Sequence, residues 1–317
     1  MGCVGAFRSI LVDTDTTAEV HPAFQQACDL AARLGASVTL VDVIEDLPSS
    51  AHNVFMRKLE AGVVDGRRAA LARLAQTRPD VHVETAVLRG KPAIALVQQV
   101  LRGNHDLVVR SHPRDLVPGQ QDGAVDMHLL RTCPCPVWLV GPQPVAQAPH
   151  ILAAVDTEAD VPGAAELNRK ILDAALTLGE AWRARVTVLH AWSVFGEELL
   201  RNHSSEREMD ETLRAAERQA SDGLAAFVAM FGDRAGEVHV ECIKGEPRYV
   251  IPRFVTDHCV DVVVMGTVSR KGIAGFLIGN TAETVLRELR GSVFAVKPPR
   301  FLTRVAVPDH AGHAATV

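Results

Sequence analysis

The chain has 317 residues, enough for about two domains, and its 47% hydrophobic and 22% charged residues are typical of a globular protein. A net charge of −5 gives no general attraction to nucleic acid or to an anionic membrane surface. The sequence contains no apolar run of the roughly 18 residues that a membrane span needs, and its N-terminus does not resemble a signal peptide. We therefore expect a cytoplasmic protein with neither a nucleic-acid nor a membrane partner.

In the first half of the chain, short apolar runs alternate with helical segments. The runs are nearly continuous stretches of aliphatic residues, as expected of parallel strands that helices cover on both faces. In chain order they occupy residues 10–14, 37–43, a run that ends before Gly90, 106–109 and 136–140. Gly35 is predicted to end a helix and Pro92 to lie in the first turn of another.

The second half repeats this order. Residues 153–157, 185–191, 244–247, 261–264 and 292–296 match residues 10–14, 37–43, 89–92, 106–109 and 136–140. Gly179 or its neighbourhood is predicted to mark a helix end, Pro247 a helix start, and the polar run 201–208 a solvated loop. The repeat predicts an α/β protein of two tandem doubly wound domains, each a five-stranded parallel sheet flanked by helices.

A Pro-rich, uncharged segment, residues 141–149, is predicted to link the repeats. The predicted domains are residues 1–142 and 148–299, followed by a tail over residues 300–317. Near the linker, Cys133 and Cys135 are the one close cysteine pair in the sequence. Because prolines follow both cysteines and no second pair exists, buried or loop thiols are favoured over a metal site.

Ligands of doubly wound sheets bind at the carboxyl ends of the strands. In the second half those ends carry Asp156-Thr157, His190-Ala191 and Met265-Gly266. A loop that includes Ser269 follows, and Gly279-Asn280-Thr281 opens a helix for which Asn280 is the predicted N-cap. Free N–H groups at a helix start, with small residues beside them, are typical of a site for phosphate.

The pattern Gly266-x2-Ser269-x9-Gly279-Asn280 resembles the universal stress protein signature, in which Gly-x2-Gly-x9-Gly precedes Ser or Thr. The resemblance covers essentially the whole chain as two such domains in tandem, and residues 264–273 and 279–283 resemble the two-domain, E-type members. It implies an adenine nucleotide alpha hydrolase-like fold. It also implies an internal pseudo-dimer, in which residues 136–140 pair with residues 292–296, and it leaves a homodimer of chains open.

The ATP-binding branch of the family implies a regulatory, non-enzymatic stress-response protein that holds ATP, with Mg²⁺, in the second site. The candidate nucleotide-binding residues are Asp156, Thr157, Ala191, Met265, Gly266, Ser269, Gly279, Asn280 and Thr281. Ser269 and Asn280 depart from the signature, replacing the second glycine and the Ser or Thr. A P-loop and a Gly-x-Ser-x-Gly motif are both missing from the sequence, which argues against a P-loop ATPase and an α/β-hydrolase.

The first half is predicted to have lost its site. Ser111 replaces the first glycine, Pro113 and Asp115 interrupt the loop, and Asp115 and Asp122 add negative charge where phosphate would lie. Asp13 aligns with Asp156 in the Val-Asp-Thr match and is predicted to cap a loop.

Several positions keep two interpretations. Asp156 is either a ligand contact or a loop cap, and Arg270 and Lys271 either clamp a phosphate or are plain surface charges. His190 is predicted to make one backbone hydrogen bond rather than to act as a base. The substitution at Ser269 also motivates a second hypothesis: a scaffold whose pocket is empty or carries an apolar, lipid-like ligand, and which acts through protein contacts.

Overall fold

A computed structural model of the chain describes residues 7–46, 54–112, 122–142, 148–267, 279–289, 291–298 and 301–307. The N-terminal half contains β1 (Ser9–Asp13), α1 (Pro22–Leu34), β2 (Ser37–Ile44), α2 (Val54–Gln76), β3 (Val83–Arg89), α3 (Pro92–Gly103), β4 (Leu107–Ser111), α4 (Asp122–Thr132) and β5 (Val137–Val140). The C-terminal half contains β6 (His150–Val155), α5 (Ala164–Trp182), β7 (Arg185–Trp192), α6 (Glu197–His203), α7 (Glu206–Ala229), a short 3₁₀ helix (Gly232–Ala235), β8 (His239–Lys244), α8 (Pro247–Asp257), β9 (Val262–Gly266), α9 (Asn280–Glu288) and β10 (Ser292–Val296).

The strands that the structure describes form one sheet in the order β3-β2-β1-β4-β5-β10-β9-β6-β7-β8. Within each half all neighbouring strands are parallel, which confirms the predicted α/β fold with tandem doubly wound units. The halves join where β5 and β10 pair antiparallel, with Leu139 opposite Val293. This is the pairing between last strands that the family resemblance implies.

Helices cover both faces of the sheet because successive strand residues point to opposite faces. Ile10 and Val12 of β1 belong to the aliphatic core that includes α1, α5 and α7. Leu11 belongs to the opposite core, with α3, α4, α8 and α9. Since both faces are covered, the carboxyl ends of the strands are the natural place for a ligand. Within the described residues, no helix is both long and apolar enough to cross a lipid bilayer.

Three of the predicted helix boundaries, at Pro92, Pro247 and Gly35, are confirmed, and the fourth lies further along the chain than Gly179. Pro92 and Pro247 begin α3 and α8, where the missing proline N–H costs no helical hydrogen bond. Gly35 ends α1 in a left-handed conformation, at φ 69°. Gly179 itself lies inside α5, which ends nearby at Trp182. A Cβ at position 179 would come 2.6 Å from Cγ2 of Val186. Close packing, rather than a helix end, explains this glycine.

The C-terminal end of α5 offers a test of backbone strain. Arg183 ends that helix with φ 52°, at the position that Gly35 occupies in the first repeat. Because a Cβ is unfavourable in this conformation, we expect Arg183→Gly to raise the free energy of unfolding by about 0.5–1 kcal/mol. Urea unfolding measures this, with Gly35→Ala as the reverse control. No atom lies within 4 Å of a Cβ built on Gly35. The loss of stability expected in Gly35→Ala therefore comes from the backbone conformation and not from a steric clash.

The polar run 201–208 is not the solvated loop that we predicted. It spans the last turn of α6 and the first turn of α7. Ser205 is the N-cap of α7: its Oγ accepts the backbone N–H of Glu208, and the Glu208 carboxylate accepts the backbone N–H of Ser205. This capping box satisfies two backbone N–H groups at the start of α7, so that a helix begins here in spite of the polar composition. Its Ser-x-x-Glu spacing could have been recognised in the sequence.

Candidate functional site

A cavity of about 420 Å³ opens at the carboxyl ends of β6, β7 and β9. The N-terminal ends of α5, α8 and α9 also border it, through Gly163, Pro247 and Gly279. Six predicted binding residues contribute to its lining, namely Asp156, Ala191, Met265, Gly266, Gly279 and Thr281. The volume lies within the range of small-molecule pockets in proteins. The structure therefore brings together residues that are up to 125 positions apart in the chain.

Asp156 is held in place by an asparagine that sequence reasoning missed. Asn168 of α5 is 6% exposed and contacts the Asp156 backbone twice. The backbone N–H of Asp156 donates to Asn168 Oδ1 at 3.1 Å, and Asn168 Nδ2 donates to the Asp156 carbonyl at 2.7 Å. Both residues line the cavity. A polar residue on the otherwise apolar buried face of α5, which includes Ile171 and Leu172, was the available signal.

The start of α9 is fixed against the end of β9, but not in the predicted way. Gly279, and not Asn280, is the N-cap: its carbonyl accepts the N–H of Glu283, so Asn280 is already the first helical residue. The Gly279 N–H donates to the Thr267 carbonyl at 3.1 Å and so is not available to a ligand. The N–H groups of residues 280–282 remain without helical acceptors, as at every helix start. The side chain of Asn280 lies outside the described residues.

Gly266 is a position of close approach. A Cβ there would lie 2.8 Å from Cδ2 of Leu167, which is itself a cavity-lining residue of α5. Contacts this short essentially require a neighbour to move, so a side chain at Gly266 would displace Leu167. The glycine thus keeps β9 close to α5, a structural role in addition to the predicted access of the backbone to phosphate.

Two other candidates lie away from the cavity lining. The Oγ1 of Thr157 is buried 3.8 Å from a Cβ built on Gly223 of α7, and Thr157 does not border the cavity. His190 is 1% exposed, with Nδ1 3.3 Å from the Val155 carbonyl, as the predicted backbone contact requires. Its Nε2 lies 3.5 Å from a Glu158 carboxylate oxygen. Thr157 thus lies beside α7, and its role as a ligand contact stays a prediction.

The predicted phosphate loop is only partly described. Ser269, Arg270 and Lys271 lie outside the described residues. Within the described lining, Asp156 is the single ionisable residue, and the remaining surface is largely aliphatic. Helix N-termini are thus the positive elements that the described part of the site offers to an anion. The described residues also contain no group of three His, Cys, Asp or Glu side chains arranged to hold a metal ion.

The sheet register corrects the alignment of the two halves. In β1, Ile10 lies opposite Leu107, and in β6 the equivalent pair is Ile151 and Val262. Asp15 is therefore the counterpart of Asp156, whereas Asp13 lies two residues earlier and corresponds to Ala154. The Val-Asp-Thr match was shifted by two residues. Asp13 is also not a loop cap, because it is fully buried in an ion pair with Arg110.

Charged residues take the place of cavity-lining residues in the N-terminal half. Asp13, Arg110 and Asp126 occupy the positions of Ala154, Met265 and Ala282, all of which line the C-terminal cavity. We call these three residues the ion triad. Arg110 pairs with Asp13, and its Nε donates to Asp126 Oδ1 at 2.8 Å.

Burial dominates the electrostatics of the ion triad. It raises the pKa of Asp13, and the Arg110 guanidinium offsets this only in part because Asp42 and Asp126 act in the opposite direction. His112 Nδ1 lies 2.6 Å from the second oxygen of Asp126, and the Oγ of Ser111 accepts the N–H of Ala23 at 3.3 Å. The polar side chains at the end of β4 thus make hydrogen bonds or ion pairs within the protein. Pro113 and Asp115 lie outside the described residues, as does the side chain of Asp122.

Comparison with known proteins agrees with the repeat. The sequence model of the universal stress protein family matches residues 6–141 and 149–297. Universal stress protein E of Escherichia coli K12 is 30% identical, over 96% of this chain and 98% of that protein. A functionally unknown protein from Pseudomonas aeruginosa PAO1 has a similar structure, with a TM-score of 0.70, 25% identity, and coverage of 93% of this chain and 94% of that one. A universal stress protein from Archaeoglobus fulgidus shares the fold, with a TM-score of 0.65 at 15% identity and coverage of 92% and 96%.

Proposed function

The chain belongs to the universal stress protein family, with two such domains in tandem, and we propose that its C-terminal domain binds ATP or a related adenine nucleotide. The protein would be a cytoplasmic regulator that responds to bound nucleotide rather than an enzyme. We place the domains at residues 1–142 and 148–299. The observation that carries the proposal is the contrast between the open C-terminal cavity and its N-terminal counterpart, where the ion triad replaces three of the lining residues.

The described lining fits the two ends of a nucleotide in different ways. Leu189, Ala191 and Ile251 offer apolar surface to a base, and the Asp156 carboxylate can accept hydrogen bonds from amino or hydroxyl groups. The first N–H groups of α9, together with its dipole, suit phosphate. Mg²⁺ bound to ATP would neutralise part of the phosphate charge. Because Mg²⁺ commonly takes its ligands from substrate phosphates and water, the site does not need a full set of protein ligands for the ion.

Binding without catalysis is part of the proposal. A hydrolytic reaction needs a base or nucleophile with a partner that orients it. In the described lining, Asp156 is the ionisable group and Thr281 the hydroxyl. This composition supports a sensor that holds its nucleotide.

Transfer of the ion triad tests the location of the site. We expect Ala154→Asp, Met265→Arg and Ala282→Asp, combined in one variant, to fill the C-terminal cavity, since Asp13, Arg110 and Asp126 take these positions in its counterpart. Titration calorimetry with ATP and Mg²⁺ should detect binding to the wild type and at least about a hundredfold weaker binding to the variant. The estimate corresponds to the loss of roughly 3 kcal/mol of binding free energy.

Met230→Arg is the matched control, since Met230 lies on the same domain but is 58% exposed. It should bind as the wild type does, and thermal unfolding should establish that the triple variant is folded. Absence of any heat with wild-type protein that also carries no co-purified nucleotide would refute nucleotide binding. A folded triple variant with wild-type affinity would instead place the nucleotide elsewhere.

The aliphatic lining favours one alternative, the carrier of an apolar ligand that acts through protein contacts. Most of the described lining residues are apolar, so part of the site is suited to an uncharged molecule. Mass spectrometry of the denatured protein distinguishes the two hypotheses. A co-purified lipid-like mass would support the carrier, and ATP or another adenine nucleotide would support the proposed function.

A further inference from the structure

A buried lysine and two buried thiols meet near the junction of the two halves of the sheet. Cys133 and Cys135 lie between α4 and β5 and are 0% and 9% exposed, with their Sγ atoms 3.5 Å apart. Lys297, the residue after β10, is 3% exposed, and its Nζ donates to the carbonyl of Leu130 in α4. This cluster joins the N-terminal and C-terminal halves, and the proposed nucleotide site does not use it.

The two thiols have different acidities. Burial acts to raise the pKa of Cys133, but the Cys135 thiol, the Lys297 ammonium and the Cys135 backbone N–H together lower it below its ordinary value. The hydrogen bond with Cys133, and then burial, raise the pKa of Cys135 well above its ordinary value. Burial lowers the pKa of Lys297 to about 8, so its ammonium still predominates at pH 7. The Lys297 ammonium and the neighbouring thiol thus favour the thiolate of Cys133 over that of Cys135.

We propose that Cys133 and Cys135 are a redox-active pair that a hydroperoxide oxidises to a disulfide, with Lys297 handling the protons. The geometry supports this because the sulfur atoms already lie side by side and need to close only to the roughly 2.05 Å of a disulfide. A thiolate that attacks and a neighbouring thiol that resolves the sulfenic acid are the two groups that disulfide formation by peroxide requires.

The reaction balances with the groups present and one hydroperoxide. The Cys133 thiolate attacks a peroxide oxygen: an S–O bond forms, the O–O bond breaks, and the departing alkoxide or hydroxide takes a proton from the Lys297 ammonium. The neutral amine then removes the proton of Cys135. That thiolate attacks the Cys133 sulfenic acid, so that an S–S bond forms and hydroxide leaves as water with the Lys297 proton. Two thiols are oxidised, and the peroxide is reduced to an alcohol or water, plus water.

Oxidation would change the contact between the halves. The disulfide carries no charge, whereas the Cys133 thiolate favours the protonated form of Lys297. The bond from Lys297 Nζ to Leu130 is therefore weaker in the oxidised protein. The redox state of the pair is thus coupled to an interaction that links α4 to the residue after β10.

The test uses the full chain and hydrogen peroxide. After exposure to about one equivalent at pH 7, free thiols are alkylated with N-ethylmaleimide under denaturing conditions and the protein is digested with trypsin. The peptide of residues 132–169 contains both cysteines and no other. We expect it to be unalkylated and lighter by two hydrogen atoms. Cys28 is the internal control, because it is equally buried and burial raises its pKa to about 12; it should remain fully alkylated.

The Lys297→Met variant tests the role of the lysine directly, since it removes the ammonium group but keeps both thiols. Disulfide formation should slow at least about tenfold, the effect of one pKa unit on the thiolate fraction. Lys170→Met, which alters an exposed lysine, should oxidise at the wild-type rate. In Cys135→Ser, a dimedone adduct should mark Cys133 sulfenic acid.

Two results would overturn the proposal: alkylation of Cys133 and Cys135 to the same extent as Cys28 after peroxide treatment, or a folded Lys297→Met variant that oxidises as fast as the wild type. Thermal unfolding of each variant establishes that it is folded. Neither result bears on nucleotide binding, which uses other residues.

Discussion

Replacing Arg110 with methionine, its counterpart in the second repeat, is expected to lower the free energy of unfolding by about 3–5 kcal/mol. The substitution removes the cation that Asp13 and Asp126 share and leaves two buried carboxylates without it. Their side chains are only 6% and 3% exposed, so water cannot replace the guanidinium at low cost. Urea unfolding of the wild type and the variant at pH 7 measures the difference.

The combined variant with Asp13→Ala, Arg110→Met and Asp126→Ala is the decisive control. It reproduces the lining of the C-terminal cavity at all three positions and leaves no buried charge from the ion triad. We expect it to recover most of the stability lost in Arg110→Met, because removing all members of a buried ion cluster costs less than removing one. Arg214→Met, which affects an exposed ion pair with Asp210, should change stability by less than about 0.5 kcal/mol. If Arg110→Met had an equally small effect, the ion triad would not hold this region together.

The effect of Arg110→Met also depends on pH. Burial already raises the pKa of Asp13 above its ordinary 3.8 in the wild type, and loss of the guanidinium raises it further. Between the unfolded and folded pKa values the folded protein then binds more protons than the unfolded one, so stability falls as pH rises through that interval. The penalty of the variant therefore shrinks on acidification toward the ordinary pKa of 3.8.

The repeat made the fold predictable from the sequence. Matching apolar runs in the same order predicted both sets of strands, because a parallel sheet buried on both faces requires nearly uninterrupted aliphatic residues. The positions of Pro92 and Pro247 were equally predictable, since a proline N–H is dispensable only at a helix start. Local chemistry and periodicity carry this information, and neither depends on distant contacts.

Contacts between distant residues were not predictable in the same way. The pairing of Asp13 with Arg110 spans 97 positions. The shifted match of Asp13 with Asp156 also concealed that Asp13 stands at the position of Ala154, a cavity-lining residue. The error arose because Val-Asp-Thr matches by letter, whereas the register of β1 and β6 is set by hydrogen bonds to β4 and β9. The role of Gly266 likewise depends on Leu167, which only the packing of α5 against β9 brings close. Such facts follow from tertiary geometry rather than from local sequence.

Lys297 is expected to make stability rise with pH in alkaline solution. Burial lowers its pKa to about 8 from an ordinary 10.5, so between these values the unfolded chain binds more protons than the folded one. Stability therefore increases as pH rises through this interval, and the penalty of burying the ammonium is complete below it. The difference of about 2.5 pKa units corresponds to roughly 3 kcal/mol. Urea unfolding from pH 7 to 10.5 measures the rise.

Lys297→Met should abolish this rise and leave the protein about 1–2 kcal/mol more stable at pH 7. The gain is smaller than the full penalty because the Leu130 carbonyl loses its donor, at a cost of about 1–2 kcal/mol. The comparison is made with Cys133 and Cys135 both changed to serine, since their thiols interact with Lys297. Lys170→Met, at an exposed position, should retain the wild-type profile. A Lys297→Met profile parallel to the wild type would show that this ammonium is solvated in the folded protein, and the proton transfers proposed for the thiol pair would then lack their buried base.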